Sequence, residues 1–239
     1  MITTVRKFID YARQANRQRL YKRRGRKLKH LEKLDVQSRF EYIFESNYWG
    51  NAESKSGNGS TLESTKTLRP ELEVLLRDLK VETFLDAPCG DWNWMQAVRF
   101  PPGMRYIGGD IVLPMIEALS KKYGSERVAF SHMNIIETPF PAADVWMCRD
   151  SLFHLSNQDI GKTLRNFLRS GTPYALLTSM PGVRLNEDIM TGSYRPLNLM
   201  GTPFGFPEPR RVLRDSPVHE KLRYLGLWHR DDLAPLIEG

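Results

Sequence analysis

Between residues 82 and 180 the chain alternates short apolar runs with amphipathic ones, and this alternation limits the fold more than any other feature. "ETFLDA" (82–87), "RYIGGDI" (105–111), "VAFSHMNI" (128–135), "ADVWMCRD" (143–150) and "YALLTSM" (174–180) read as strands. Residues 91–99 read as a short helix, "LPMIEALSKKYG" (113–124) as a longer one stopped by Gly124, and "SNQDIGKTLRNFLRSG" (156–171) as a helix with Ser156 as N-cap and Gly171 past its end. Strands that alternate with helices are joined by right-handed crossovers and lie parallel. "RRVLRDS" (210–216) and "YLGLWHRDDL" (224–233) read as two further strands, antiparallel at one edge. The expected fold is α/β: a Rossmann-like, doubly wound, mainly parallel seven-stranded sheet with an antiparallel edge strand.

The flanks are less regular. "SRFEYIFESNYWG" (38–50) reads as an aromatic helix ending at Gly50, and 70–80 as a helix starting on Pro70. Between them, 51–67 is polar and rich in Gly and Ser. As a bare linker it needs no ligand, but its hydroxyls and amides also suit closure over one. From 181 to 209 five prolines exclude a long regular helix, and a stretch of this length without regular structure is often functional.

The net charge of +7 is uneven. Residues 1–34 hold 12 Lys or Arg against two acids, whereas the other 205 hold 23 against 26. We divide the chain into a basic helical arm, 1–35, and a slightly acidic domain, 36–239. The arm, above all 17–29, is a candidate contact to a membrane surface or an acidic partner, or else a solvated helix on its own domain. No apolar run reaches the roughly 18 residues of a membrane span, and no apolar region follows the basic start as in a signal peptide. Two cysteines without ligand spacing give no disulfide framework and no metal site. The expected location is the cytoplasm, peripheral at a membrane if the arm binds one.

The chemistry concentrates in "FLDAPCGDWNWM" (84–95). In open parallel sheets ligands sit beyond the carboxyl ends of the strands, and Asp86–Asp91 lie at such an end. Gly90 lets backbone approach a ligand. Asp110, at the end of the second strand and 24 residues after Asp86, suits the two hydroxyls of a ribose. A pyrophosphate dinucleotide calls for G-x-G-x-x-G, whereas this turn has one glycine between acids. Those acids repel pyrophosphate and attract an ammonium group, so S-adenosylmethionine fits better than NAD.

On these residues the chain, over about 40–239, resembles the class I methyltransferases dependent on S-adenosylmethionine. "FLDAPCGDW" stands at their first glycine motif, with Pro88 and Trp92 in place of two of its glycines, and "YIGGDI" at their ribose-binding strand. The short "DAPCGDW" form looks like a stand-alone bacterial branch associated with glycan or small-metabolite modification. The resemblance implies that Asp86, Ala87, Cys89 and Gly90 frame the methionine end, Asp110 holds the ribose, Ile111 flanks the adenine, and Asn134 reaches its edge. It also implies that Arg149 and Asp150 end the fourth strand beside the transferring methyl, and that Cys89 and Cys148 lie close as buried thiols.

A sulfonium is already activated, so the protein must orient an acceptor and, for a hydroxyl, remove its proton. The candidate catalytic residues are His154 and Asp150, four apart in "CRDSLFHLS", with His154 as base and Asp150 orienting. His154 as a packing histidine is the competing reading. In the proline-broken segment, Asn186, Asp188, Tyr194, Arg195 and Asn198 are candidate substrate-binding residues, because polar groups among aromatics suit a sugar-like acceptor. The leading function is methylation of a hydroxyl on a small molecule or glycan. The alternatives are a methyltransferase on RNA or protein that uses the arm, and a nucleotide-binding module that catalyses nothing.

Overall fold

The structure, a computed structural model, describes residues 29–49, 51–183, 185–215 and 223–238. Seven strands form one sheet in the order β3-β2-β1-β4-β5-β7-β6. They are β1 (Thr83–Asp86), β2 (Arg105–Asp110), β3 (Val128–His132), β4 (Val145–Cys148), β5 (Tyr174–Ser179), β6 (Arg211–Arg214) and β7 (Tyr224–His229). The first five are parallel. β7 runs antiparallel to both β5 and β6, so the expected antiparallel edge is a hairpin-like pair. β1 lies between β2 and β4, where the sheet order reverses, and three of its four residues are buried.

The helices are α1 (Val36–Glu45), α2 (Leu68–Asp78), α3 (Leu113–Tyr123), α4 (Asn157–Ser170) and α5 (Arg230–Glu238). Local chemistry sets their ends. Asp35 caps α1 by accepting from the Ser38 amide, and Ser156 caps α4 by accepting from the Asp159 amide. Gly171 closes α4 at φ 74°, the left-handed conformation that glycine adopts most cheaply. Leu68, Leu72, Leu75 and Leu76 of α2 and Ile160, Leu164 and Phe167 of α4 supply the two halves of the core, one on each face of the sheet.

Three readings of local structure need correction. Residues 91–99 hold only a 3-10 turn, Met95–Ala97. Gly90 and Trp92 both have positive φ (57° and 58°), so the chain reverses there instead of winding into a helix. The run "YLGLWHRDDL" is a strand only to His229 and then becomes α5. Asp231 and Asp232 occupy its first turn, where acids favour the helix dipole, and Asp232 accepts from the His229 amide. The helix over 70–80 starts earlier, at Leu68.

Most of the basic arm lies outside the described residues, including almost all of 17–29. Its end is fastened to the domain. Leu31 is buried, and Arg39 on α1 donates to the carbonyls of Leu31, Glu32 and Thr191. Among the described residues no helix is long and apolar enough to cross a membrane.

Candidate active site

The neighbouring strands fix the turn after β1. The Ala87 amide donates to the Met147 carbonyl on β4 (3.0 Å), and the Cys89 amide to the Gly109 carbonyl on β2 (2.8 Å). Trp146 Nε1 donates to the Ala87 carbonyl at 2.8 Å. Gly90 is required twice over: its φ is 57°, and a Cβ there would lie 2.4 Å from Ser56 Oγ.

Two buried carboxylates face the cleft at this turn. Asp86 accepts from the Tyr106 hydroxyl at 2.7 Å. Burial pushes it up to about 7, against that bond and the charge of Arg149. Asp110 accepts from the Gly90 amide (3.0 Å) and the Val112 amide (3.1 Å). Burial nevertheless pushes it up to about 6. Cys89, Ile111 and Asn134 line the same end, whereas Ala87 is buried beneath it. Asn134 is engaged in its own turn, where its Oδ1 accepts from the Ile136 amide and its Nδ2 approaches Glu137. The Cys89 and Cys148 thiols are both buried and free, and burial pushes both upward.

A second wall comes from the polar 51–67 segment, which is stitched to the turn. The Asp91 carboxylate accepts from Ser54 Oγ (2.9 Å) and the Lys55 amide (2.8 Å), and the Asp91 amide donates to Ser56 Oγ (2.9 Å). Asn93 Nδ2 donates to Glu53 and to the Ser60 carbonyl. Ser56 and Ser60 line the cleft. The acids and tryptophans of "CGDWNW" thus divide their tasks. Asp91 holds the strap, Trp92 packs on Tyr106, Tyr123 and Phe130, and Trp94 lines the cleft beneath the Arg149 guanidinium (5.0 Å).

The end of β4 supplies the third wall. Arg149 is buried and makes a two-point pair with Asp215 (3.0 and 2.8 Å), while its Nη2 also donates to the Gly59 carbonyl at 2.7 Å. Asp150 has φ 53°, a conformation uncommon outside glycine. Its amide donates to Thr178 Oγ1 (2.9 Å), and its carboxylate pairs with Arg223 (2.5 Å). Burial works to raise Asp150, but Arg223 and Arg149 outweigh it and hold the carboxyl below its usual value. A Cβ on Gly59 would come 2.5 Å from this carboxylate, so the strap crosses the ion pair where only a glycine fits.

His154 ends a 3-10 turn, Leu152–His154, and faces the same cleft. Its Nδ1 lies 2.7 Å from the Ser193 carbonyl. A carbonyl only accepts, so Nδ1 carries the proton and Nε2 presents a lone pair. Burial lowers its pKa to about 4, against the Ser193 carbonyl and Asp150, so the ring is neutral in ordinary buffers. Trp49 and Tyr194 flank the imidazole, with centroids 5.4 and 5.6 Å away.

The structure sets the expected substrate residues elsewhere. Asn186, Asp188, Arg195 and Asn198 do not line the cleft. Asn186 Nδ2 donates to the carbonyls of Asn198, Gly201 and Thr202, and Asp188 accepts from the Asn157 and Ile189 amides. Arg195 donates to the carbonyls of Glu187 and Leu152 and to Asn157, and Asn198 to the Val183 carbonyl. These side chains satisfy backbone in a segment that has no regular ladder of its own. Tyr194 packs on Phe153 and His154 without reaching the cleft lining. The wall that sequence reasoning missed is α1, whose Val36, Phe40 and Phe44 line the cleft together with Trp49. Their i, i+4, i+8 spacing is legible, but it reads as ordinary core contact.

The cleft is concave and lined mainly by apolar and aromatic side chains with a few convergent polar groups, the character of a site for small molecules. No group of side chains among the described residues is arranged to hold a metal ion.

A family model described as a methyltransferase domain matches residues 85–177. No curated protein matches the chain. Similar solved structures include LaPhzM (16% identity, TM-score 0.46, 70% of this chain and 56% of that one). A second is the dimethyltransferase RosA of Streptomyces davawensis, which acts on an amino-riboflavin (11%, 0.47, 68% and 53%). A third is the Burkholderia thailandensis 1,6-didemethyltoxoflavin-N1-methyltransferase with S-adenosylhomocysteine bound (19%, 0.48, 68% and 77%). The chain therefore covers little more than half the length of the first two. The residues that this model matches, 85–177, lie within a seven-stranded sheet of the Rossmann-like kind.

Proposed function

We propose that the protein transfers the methyl group of S-adenosylmethionine to a hydroxyl of a small molecule, with His154 as general base. The observation that carries this reading is the meeting, in one cleft, of the Asp86–Gly90–Asp110 end with an unprotonated His154 Nε2.

The residues present fit the cofactor. Asp86 and Asp110 are buried carboxylates whose charge lacks full compensation, as their raised pKa values of about 7 and 6 record. An ammonium beside Asp86 supplies the missing positive charge, and Asp110 keeps lone pairs for ribose hydroxyls. Gly90 leaves the approach to the turn clear of a Cβ. When bound, the cofactor supplies an activated methyl on a sulfonium.

The chain's own part is orientation and proton handling. Asp86 and Asp110 fix the two ends of the cofactor, and the strap over 54–60 keeps water from one side of the cleft. Asp150, ionised by its arginines, holds a negative charge near the reacting region. With the cofactor and an acceptor in place, His154 Nε2 would take the proton that the acceptor hydroxyl gives up. The Ser193 carbonyl holds the ring in the required tautomer and continues to accept from Nδ1 of the imidazolium.

Calorimetric titration with S-adenosylmethionine and with NAD, followed by methyl transfer from labelled cofactor to a panel of hydroxylated small molecules, tests the proposal. We expect binding of the first cofactor alone and labelled product. His154→Ala should lower kcat by about 10²- to 10⁴-fold with little change in cofactor affinity. Binding of NAD in preference, or an unchanged kcat in His154→Ala, would refute the reading.

A further inference from the structure

We infer that the acceptor half of the cleft takes a flat aromatic molecule bearing a ring hydroxyl, held against Phe40 and Phe44 of α1 and against Trp49. The inference rests on the methyl-transfer reading above and narrows its acceptor class. It also departs from the sugar-like acceptor that the composition of 181–209 suggested.

Three observations converge. The first is the chemistry of the wall. Val36, Phe40 and Phe44 recur every fourth residue on one face of α1, and all three are only partly buried where they line the cleft. Trp49 stands beside the His154 ring at 5.4 Å. Aromatic faces and edges of this kind gain most from another ring, through offset or edge contacts.

The second is the shortage of uncommitted polar groups. A sugar carries several hydroxyls, each costly to bury without a partner. Beyond the Asp86–Asp110 turn and Asn134 the polar lining is Ser56, Ser60, Arg149, Asp150, Ser151 and His154, and Arg149 is already committed to Asp215 and the Gly59 carbonyl. Ser56 already accepts from the Asp91 amide, and Asp150 is engaged by Arg223. The amide and guanidinium side chains of 181–209 are spent on backbone carbonyls.

The third is the strength of the base. His154 has a pKa of about 4. A ring hydroxyl titrates near 10, as tyrosine does, and a saturated alcohol near the 15.7 of water. The proton therefore climbs about six pKa units to leave a ring hydroxyl and about twelve to leave an alcohol. The smaller gap makes the ring hydroxyl the easier of the two for this base to deprotonate.

The test uses the whole protein saturated with S-adenosylhomocysteine, titrated calorimetrically with 2-naphthol, cyclohexanol and methyl glucoside. We expect saturable one-to-one binding of 2-naphthol, no measurable binding of methyl glucoside, and cyclohexanol weaker than naphthol. Phe44→Ala and Trp49→Ala should each weaken naphthol by at least about tenfold. Both should keep S-adenosylhomocysteine affinity within about twofold, which also shows that they fold. The inference is overturned if methyl glucoside binds more tightly than naphthol, if naphthol gives no saturable heat, or if both variants bind it as the parent does. Failure of S-adenosylhomocysteine itself to bind is a separate result, which removes the methyl-transfer reading and the inference with it.

Discussion

Cofactor affinity should fall steeply between pH 7 and pH 6, and the two buried carboxylates set the size of the fall. Asp86 titrates at about 7 and Asp110 at about 6 in the free protein. If only the doubly ionised cleft binds S-adenosylmethionine, the competent fraction is about 45% at pH 7 and about 5% at pH 6. Apparent affinity then drops about tenfold over that single unit, or about 1.4 kcal/mol. The cofactor's own ammonium stays protonated throughout this window, since α-amino groups titrate near 7.7–8.0. Calorimetry at pH 6, 6.5 and 7, in buffers of different ionisation enthalpy, gives both the affinity and the number of protons released. We expect about one proton released per cofactor bound at pH 6.5. The sign is fixed by the direction of the shift: burial has raised these carboxylates, so binding of a cation must expel protons. A flat affinity from pH 6 to pH 7, or net proton uptake, would refute the account. Asp86→Asn should bind weakly at both pH values and lose most of the pH dependence.

Other consequences are measurable. Because the His154 pKa lies at about 4, kcat at saturating cofactor should be nearly flat from pH 6 to pH 8, and a rise centred near pH 6.5 would mean a different base. Asp215→Ala leaves the Arg149 charge buried without its two-point partner, so urea denaturation should show a loss of roughly 3–5 kcal/mol. Arg195→Ala removes three hydrogen bonds in the 181–209 segment and should cost roughly 2–3 kcal/mol of stability with acceptor KM unchanged in the folded fraction. A raised acceptor KM with full stability would return that residue to the site.

The parts of the structure that sequence carries best are those decided within a few residues. The β1–turn–β2 unit, with Asp86, Gly90 and Asp110, is local in this sense, and so are the caps at Ser156 and Gly171. The turn after Gly90 was misread because Trp92 adopts positive φ, which its residue type does not announce. The start of α5 was missed because "HRDDL" continues an apolar strand without a break. The α1 wall of the cleft is a different kind of case. Val36, Phe40 and Phe44 form a plain amphipathic face, and only tertiary placement tells whether such a face meets core or ligand. For Asn186, Arg195 and Asn198 the polar type was informative but the partner was not. Each donates to backbone carbonyls of its own segment or of the chain packed against it. The hydroxyls of the 51–67 segment did come to the cleft, and Asp91, which fastens them, was already conspicuous in the sequence.

The four charges at the end of β4 have a consequence for how chains of this kind diversify. Arg149, Asp150, Asp215 and Arg223 sum to zero, and they join the end of β4 to the ends of the β6–β7 pair. Losing any one leaves an unbalanced buried charge, so a lineage crosses from this arrangement to another only by changing positions together. No such bond ties Phe40, Phe44 or Trp49 to one another. Each can drift alone, at the cost of a little packing, and reshape the cleft by a ring or a methyl group at a time. The same scaffold thus pairs a charged cluster that resists stepwise change with an aromatic wall that invites it, and the shape of the cleft should change through α1 long before the quartet is altered.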